Sequence, residues 1–307
     1  MSDDPEPAVN ISGGADGGGV AVEFDPATAE TRAEEVVDRL GERYWQKQYG
    51  GQDAFTCLVR TILSQNTSDK ASQPAHDALI ARYGAGGSET HRDADGASGA
   101  RREQREDLDD ANGEAVSGRP RADETDLAES LAAAEQSELA ETISSAGLYN
   151  QKSEILIETA EWVLEAFGSA AAFDAFVKDE EPSEVRETLL SVRGVGPKTA
   201  DCVLLFAGGR GGVFPVDTHV HRIYRRMGIA SPDADHEDVR AVLERDVPAA
   251  KCGFAHTATI QFGREYCTAR KPACLDDPEA CPMADLCDQV GVYPETDEVV
   301  DPADVVD

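Results

Sequence analysis

Residues 189–209, LLSVRGVGPKTADCVLLFAGG, leave the backbone little choice. Leu189 and Leu190 close one helix. Gly194 and Gly196 supply turn conformations without a Cβ penalty, and Pro197 takes a first helical position, where its missing N–H costs nothing. Ala200, Val203, Leu204 and Ala207 form the apolar stripe of a second helix, which Gly208 ends. The outline is a helix-hairpin-helix, with backbone N–H groups bared at a helix start where the dipole favours an anion. An ordinary αα-turn with a glycine cap has the same outline. Reading it as a grip on nucleic-acid phosphates, through Arg193, Gly194 and Gly196, depends on the residues that follow.

Those residues carry chemistry. Lys198 lies in the first turn of the second helix, where the positive dipole end disfavours an ammonium, so a partly desolvated lysine there can act as an amine nucleophile. Nineteen residues on, PVDTHVHRIYRRMG presents Asp217 after an apolar lead. A carboxylate facing that amine can take up its proton and stabilise an oxocarbenium-like sugar. His219 and His221 stand two apart, on different sides of a helix, so they read as orienting or packing groups and not as a metal pair with Asp217.

The rest reads as helix after helix. Phe55, Leu58, Val59, Ile62 and Leu63 follow a core-facing stripe, and Ile155, Thr159, Trp162, Val163 and Phe167 continue such a pattern. No alternating Val/Ile/Thr run is bounded by hairpin turns, so the fold class is all-α. Residues 1–26 and 293–307 read as acidic, solvated tails. Residues 84–125 have no aromatic and almost no aliphatic side chain and read as a disordered insertion between helices.

Seven cysteines occur in the chain, and four crowd into Cys267, Cys274, Cys281 and Cys287, with intervening gaps of six, six and five residues. No basic start with an apolar core opens the sequence and no apolar run is long enough for a membrane, so the expected compartment is the cytoplasm, where thiols stay reduced. Four clustered thiols there argue for metal over disulfides, although zinc sites usually pair cysteines at gaps of two to four. Cys57, Cys202 and Cys252 sit in apolar helical contexts and read as core.

Taken together, the glycine-rich hairpin, Lys198 and Asp217 resemble the endonuclease III family of DNA glycosylases, in the helix-hairpin-helix-Gly/Pro-Asp superfamily. The resemblance implies two helical domains with a cleft between them: a six-helix unit over 50–210, interrupted by 84–125, and an iron–sulfur domain from 27–49 plus 211–292. It implies a bifunctional N-glycosylase/AP lyase, with Lys198 as Schiff-base lysine and Asp217 as essential carboxylate, acting on oxidised pyrimidines in duplex DNA and on abasic sites. A glycosylase/lyase for 8-oxoguanine or for deaminated or mismatched bases is the alternative, and a non-catalytic DNA-binding protein the reading from another class. ILSQNTSDK (62–70) resembles the family loop that fills the hole left by an extruded base, here with Asn66 or its neighbour Gln65. AGLYNQKSEIL (146–156) resembles the wedge loop, with Leu148 entering the stack. The four cysteines resemble the family's [4Fe–4S] ligands, whose gaps are six, two and five, so the middle gap here is four residues longer. The cluster's implied role is to tie down a loop that presents Arg270 and Lys271 to phosphate.

Charge runs against such a partner: 60 acidic against 28 basic residues, net −32. An acid-rich skin suits a protein working in molar salt, where the Debye length falls to about 3 Å. Arg193, Lys198, Arg222, Arg225, Arg226, Arg264, Arg270 and Lys271 are expected to line a basic groove within that skin. The protein is expected to be a nucleoid-associated monomer.

Overall fold

The computed structural model describes residues 9–10, 22–45, 51–67, 69–84 and 126–305. The insertion expected beyond Gly84, up to residue 125, and most of the expected N-terminal tail lie outside the described residues. Thirteen α-helices account for most of the rest: α1 (Arg32–Arg43), α2 (Ala54–Ser64), α3 (Asp69–Tyr83), α4 (Leu127–Ala132), α5 (Gln136–Thr142), α6 (Tyr149–Phe167), α7 (Ala170–Asp179), α8 (Pro182–Leu190), α9 (Pro197–Phe206), α10 (Thr218–Arg226), α11 (His236–Asp246), α12 (Cys252–Glu265) and α13 (Ala273–Asp276). Two minimal ladders complete the described residues. β1 (Val9–Asn10) runs parallel to β2 (Tyr44–Trp45), and β3 (Val292–Tyr293) runs antiparallel to β4 (Glu298–Val299). The fold is all-α, as the periodicity predicts.

The chain clusters into two compact units, Ile62–Ala170 and, from both sides of it, Met1–Thr61 with Ala171–Asp307. The expected partition put the hairpin with the residues before it. In the structure α8 and α9 belong with the cysteine-bearing half, and a charge network shows why. Asp201 on α9 is 1 % exposed and accepts from Arg186 Nε on α8 at 2.8 Å, while Arg240 Nε of α11 lies 3.3 Å from its other oxygen. A buried carboxylate must be paired, so these two arginines bind the hairpin to α11.

Within that half, α1, α10, α11 and α12 pack around Val37, Leu40, Phe214, Val220, Tyr224 and Phe262. Local signals set the helix ends. Thr31 caps α1 through its hydroxyl to Glu34 N (3.0 Å), and Asp235 and Asp238 form a reciprocal capping box on α11. On α1, Glu34 and the fully buried Asp38 both hold Lys251 Nζ, at 2.8 and 2.6 Å. Phe24, in the segment expected to be a tail, stacks on Phe254 at 4.5 Å and fills the space over Gly41, where a Cβ would meet its ring at 2.2 Å.

The second expected tail also departs from its reading. Residues 293–305 fold back: Val300 N donates to Gly291 O (2.8 Å), Pro302 is buried, and Asp301 pairs with the buried Arg225 at 2.7 Å. Gly291 is required there, at φ +76° and with Val300 O 2.6 Å from an added Cβ. Short strands with acidic flanks carry no sequence signal. The anchors are single side chains whose partners lie far away in sequence.

In unit 62–170, α6 is the long element, burying Ile155, Leu156, Thr159, Ala160 and Val163. Trp162 and Phe167, expected in the core stripe, are half-buried and pair edge-to-face at 5.4 Å. The predicted α2 stripe is fully buried from Phe55 to Leu63.

Candidate active site and iron–sulfur centre

The turn between α8 and α9 is pinned by Val192 and Val195, both buried, with Val195 N bonded to Val192 O at 3.0 Å. Gly194 sits at φ +83°, the left-handed region that favours glycine. Gly196 does not meet the same expectation: its φ is −98°, open to any residue, and a Cβ built there meets nothing within 4 Å. Arg193 stands exposed beside it.

Lys198 is half-buried in the first turn of α9. Its amine hydrogen-bonds the Cys202 thiol one turn along and acts electrostatically on Cys57. Both thiols are buried and pushed up by desolvation, Cys57 to about 12, so they are neutral. Asp217 caps α10: its Oδ1 accepts from His219 N and Val220 N, both at 2.9 Å, which fixes the carboxylate plane.

Sequence reasoning missed a buried histidine that meets the backbone leading to Asp217. His256 of α12 is 3 % exposed and its Nδ1 donates to Pro215 O at 2.8 Å, two residues before Asp217. Burial lowers its pKa to about 4; Asp217 pulls it up and Lys198 pushes it down. The imidazole is held against the backbone that leads to Asp217, in the same unit as Lys198. A histidine on an apolar helix reads as core in a sequence, and its carbonyl partner cannot be seen there. His219 and His221 face different partners, Arg222 Nη2 (3.1 Å) and Ala234 O (2.8 Å).

The four cysteines converge. Cys267, Cys274, Cys281 and Cys287 line one apolar-walled cavity together with Phe262, Tyr266, Pro272 and Val292. Among the described residues, no three His, Cys, Asp or Glu side chains close on a single metal position. Four thiols around one cavity are the donor set of a [4Fe–4S] cluster, in which each takes its own iron. Two donors already aim at sulfur: Gln289 N at Cys287 Sγ (3.4 Å) and Arg226 Nη1 at Cys267 Sγ (3.6 Å). Burial pushes the Cys281 and Cys287 thiols up, to about 11 and about 12, so metal binding must displace their protons. The longer middle gap is absorbed locally. α13 and a 3-10 turn, Pro278–Ala280, fold it back, with Asp277 Oδ1 accepting from Glu279 N at 3.1 Å.

The cluster loop exposes Arg270 and Lys271, the latter 3.7 Å from Asp276. Arg226 holds this loop from below through Thr268 O and Ala269 O, both at 2.7 Å, and Arg222 holds Cys267 O at 2.8 Å. Arg225 and Arg226 are 4 % and 3 % exposed, and Arg222 is half-buried. These three were expected in a basic groove; they are internal props instead, because carbonyls of tight loops must find donors.

In the other unit, Asn66 and Leu148 are both exposed at loop tips and both left-handed, at φ +52° and +47°. Leu148 is 57 % exposed. A leucine in that backbone region costs about 1 kcal/mol or more, and an exposed one gains nothing from the core. Gln65 is half-buried beside Asn66. None of the described helices is long and apolar enough to cross a membrane.

A two-helix hairpin, a lysine and an aspartate in the same unit, and a four-thiol cavity define an iron–sulfur protein of the helix-hairpin-helix class. Residues 59–249 match the HhH-GPD superfamily of base excision DNA repair proteins, and residues 267–287, from first to last clustered cysteine, match the iron–sulfur binding domain of endonuclease III. The chain is 33 % identical to the endonuclease III of Bacillus subtilis over 150 residues, 49 % of this chain and 61 % of that protein. It is 26 % identical to that of Thermotoga maritima over 262 residues, 84 % and 92 % of the two chains. The fold is shared with a trapped endonuclease III–DNA covalent intermediate at TM-score 0.55 and 21 % identity, covering 79 % of this chain and 86 % of that one. The chain belongs to the HhH-GPD superfamily of base excision DNA repair proteins, and its clustered cysteines fall in a segment that matches the iron–sulfur binding domain of endonuclease III. The stretch shared with the Bacillus enzyme spans about three fifths of that enzyme's length.

Proposed function

We propose that the protein is a DNA N-glycosylase/AP lyase that removes oxidised pyrimidines from duplex DNA. The observation that carries this reading is a lysine in the first turn of α9, directly after the glycine hairpin, in the same unit as Asp217, whose carboxylate is fixed as the cap of α10. In the proposed reaction Asp217 accepts a proton from Lys198, and the Lys198 amine attacks the anomeric carbon of the extruded nucleotide. The C–N bond to the base breaks, the base leaves with the bonding pair and takes up a proton, and an iminium links Lys198 to the opened sugar. Loss of a sugar proton then expels the 3′ phosphate by β-elimination. Cys202 holds the amine on its helix face between turnovers. The backbone at Gly194 and Gly196, with Arg193, grips phosphate on one side, and Arg270 and Lys271 on the other. Asn66, with Gln65, fills the space left by the extruded base, and Leu148 enters the stack.

Cys267, Cys274, Cys281 and Cys287 would hold the [4Fe–4S] cluster, whose contribution is structural. The test is borohydride trapping on duplexes carrying thymine glycol, 8-oxoguanine or an abasic site. The expected result is a covalent adduct on thymine glycol and abasic DNA that Lys198→Ala abolishes. DNA binding without any adduct would leave a non-catalytic binding protein, and trapping confined to 8-oxoguanine would move the substrate to an oxidised purine.

A further inference from the structure

Two exposed, left-handed tips, Asn66 and Leu148, sit on separate loops of the Ile62–Ala170 unit, and one buried side chain joins those loops. Lys152, on α6, is 3 % exposed. Its ammonium donates to Leu63 O at the end of α2 (2.7 Å), to Thr67 Oγ1 just past Asn66 (2.8 Å), and to Ala146 O two residues before Leu148 (2.9 Å). Thr67 Oγ1 in turn bonds Ala146 O and Gln65 O, and Ser145 Oγ reaches Ala71 O at 3.1 Å.

This is an expensive arrangement. All three acceptors are neutral oxygens, and burying an ammonium costs several kcal/mol that neutral partners offset poorly. Desolvation lowers its pKa. A methionine or leucine would fill the same space without that cost, so stability alone does not explain a lysine. What the ammonium does uniquely is donate three bonds at once, to both loops. Each loop also stores backbone strain at its tip, which persists only where the surroundings over-determine it.

We infer that Lys152 is a positioning residue that locks the Asn66 loop and the Leu148 loop into one unit, so that gap-filling and wedging occur in register when a duplex is opened. The inference rests on the proposed roles of Asn66 and Leu148. It gives a signature that a merely structural lysine does not share. Opening a paired duplex needs both tips. Attack by Lys198 on an abasic site in a single strand needs neither, since no partner strand has to be separated or replaced.

The experiment compares wild type, Lys152→Met and Thr67→Val in rates of borohydride-trappable adduct on an abasic site in duplex and in single-stranded DNA. Fluorescence of 2-aminopurine opposite the site reports duplex opening. Lys152→Met should lose roughly 10- to 100-fold on the duplex, with slower 2-aminopurine unstacking, and stay within about twofold on the single strand. Thr67→Val removes one hydroxyl at constant volume and should show the same selectivity at roughly 3- to 10-fold; it decides the matter if Lys152→Met does not fold. Equal losses on the two substrates, or no loss on the duplex, overturn the inference. Absence of any adduct with wild type on either substrate overturns the glycosylase/lyase reading itself.

Discussion

Replacing His256 by asparagine tests, through proton linkage, whether the imidazole is held dry against the backbone that leads to Asp217. The imidazole titrates at about 4 in the folded protein against a reference of 6.5. Above the reference value both folded and unfolded chains hold it neutral, and its contribution to stability is complete. As pH falls through 6.5, the unfolded chain takes up a proton that the folded chain refuses until about 4, so stability is lost across that window. Between about pH 7.5 and pH 5 the loss from this one group is about 2 kcal/mol, given that one pKa unit is worth about 1.4 kcal/mol. Asparagine can donate to Pro215 O as Nδ1 does, but it does not titrate. Urea denaturation at constant KCl should therefore give a wild-type stability that falls about 2 kcal/mol further than that of His256→Asn over this range, whatever their absolute difference. Parallel curves, agreeing within about 0.5 kcal/mol, would refute the reasoning: the imidazole would then be hydrated or charged, and not held dry against the backbone that leads to Asp217.

Gly194→Ala forces a side chain onto φ +83° and should cost about 1–2 kcal/mol by thermal unfolding. Gly196→Ala meets open space and should change stability by less than about 0.5 kcal/mol, yet weaken duplex binding about tenfold by anisotropy, because the added methyl stands where phosphate approaches. Asp217→Asn keeps an Oδ1 for His219 N and Val220 N, so the melting temperature should hold while single-turnover base release falls at least about 100-fold. Asp301→Ala should cost about 1 kcal/mol, since Asp301 is half in solvent although Arg225 is not; ending the chain at Tyr293 should in addition speed bleaching of the iron–sulfur absorbance in air. Duplex affinity should fall with salt at a log–log slope no steeper than about −4, because only a few exposed cations serve the interface.

The hairpin and the order of the helices were legible because glycine, proline and apolar spacing act locally. The places of Lys198 and Asp217 in the fold were legible because one sits just inside a helix start and the other at a cap, positions that short motifs encode. His256, Lys152 and Arg226 were not, since each acts through carbonyls, at Pro215, at Leu63 and Ala146, and at Thr268 and Ala269. Every residue has a carbonyl, so such a bond leaves no trace in a pattern of side chains. The C-terminal segment misled for the opposite reason. Its acids suggest solvation, but Asp301 has a buried arginine to meet and Val299 packs on the cluster cavity's apolar edge.

The scarcity of basic residues makes their placement informative. Of the cations that a polyanion partner calls for, several are spent inside. Arg226 and Arg222 hold the residues after α12, and Lys152 holds both loops. A surface ion pair is screened away in strong salt, but a guanidinium or ammonium buried against carbonyls is not reached by mobile ions. An acid-skinned protein that must keep loops stiff under such conditions gains more from an inward cation than from an outward one. Under the proposed function, that leaves backbone amides, a wedge and a handful of exposed side chains to meet DNA. Affinity then has to come from shape and from opening the duplex, and that places the burden on how firmly Asn66 and Leu148 are held.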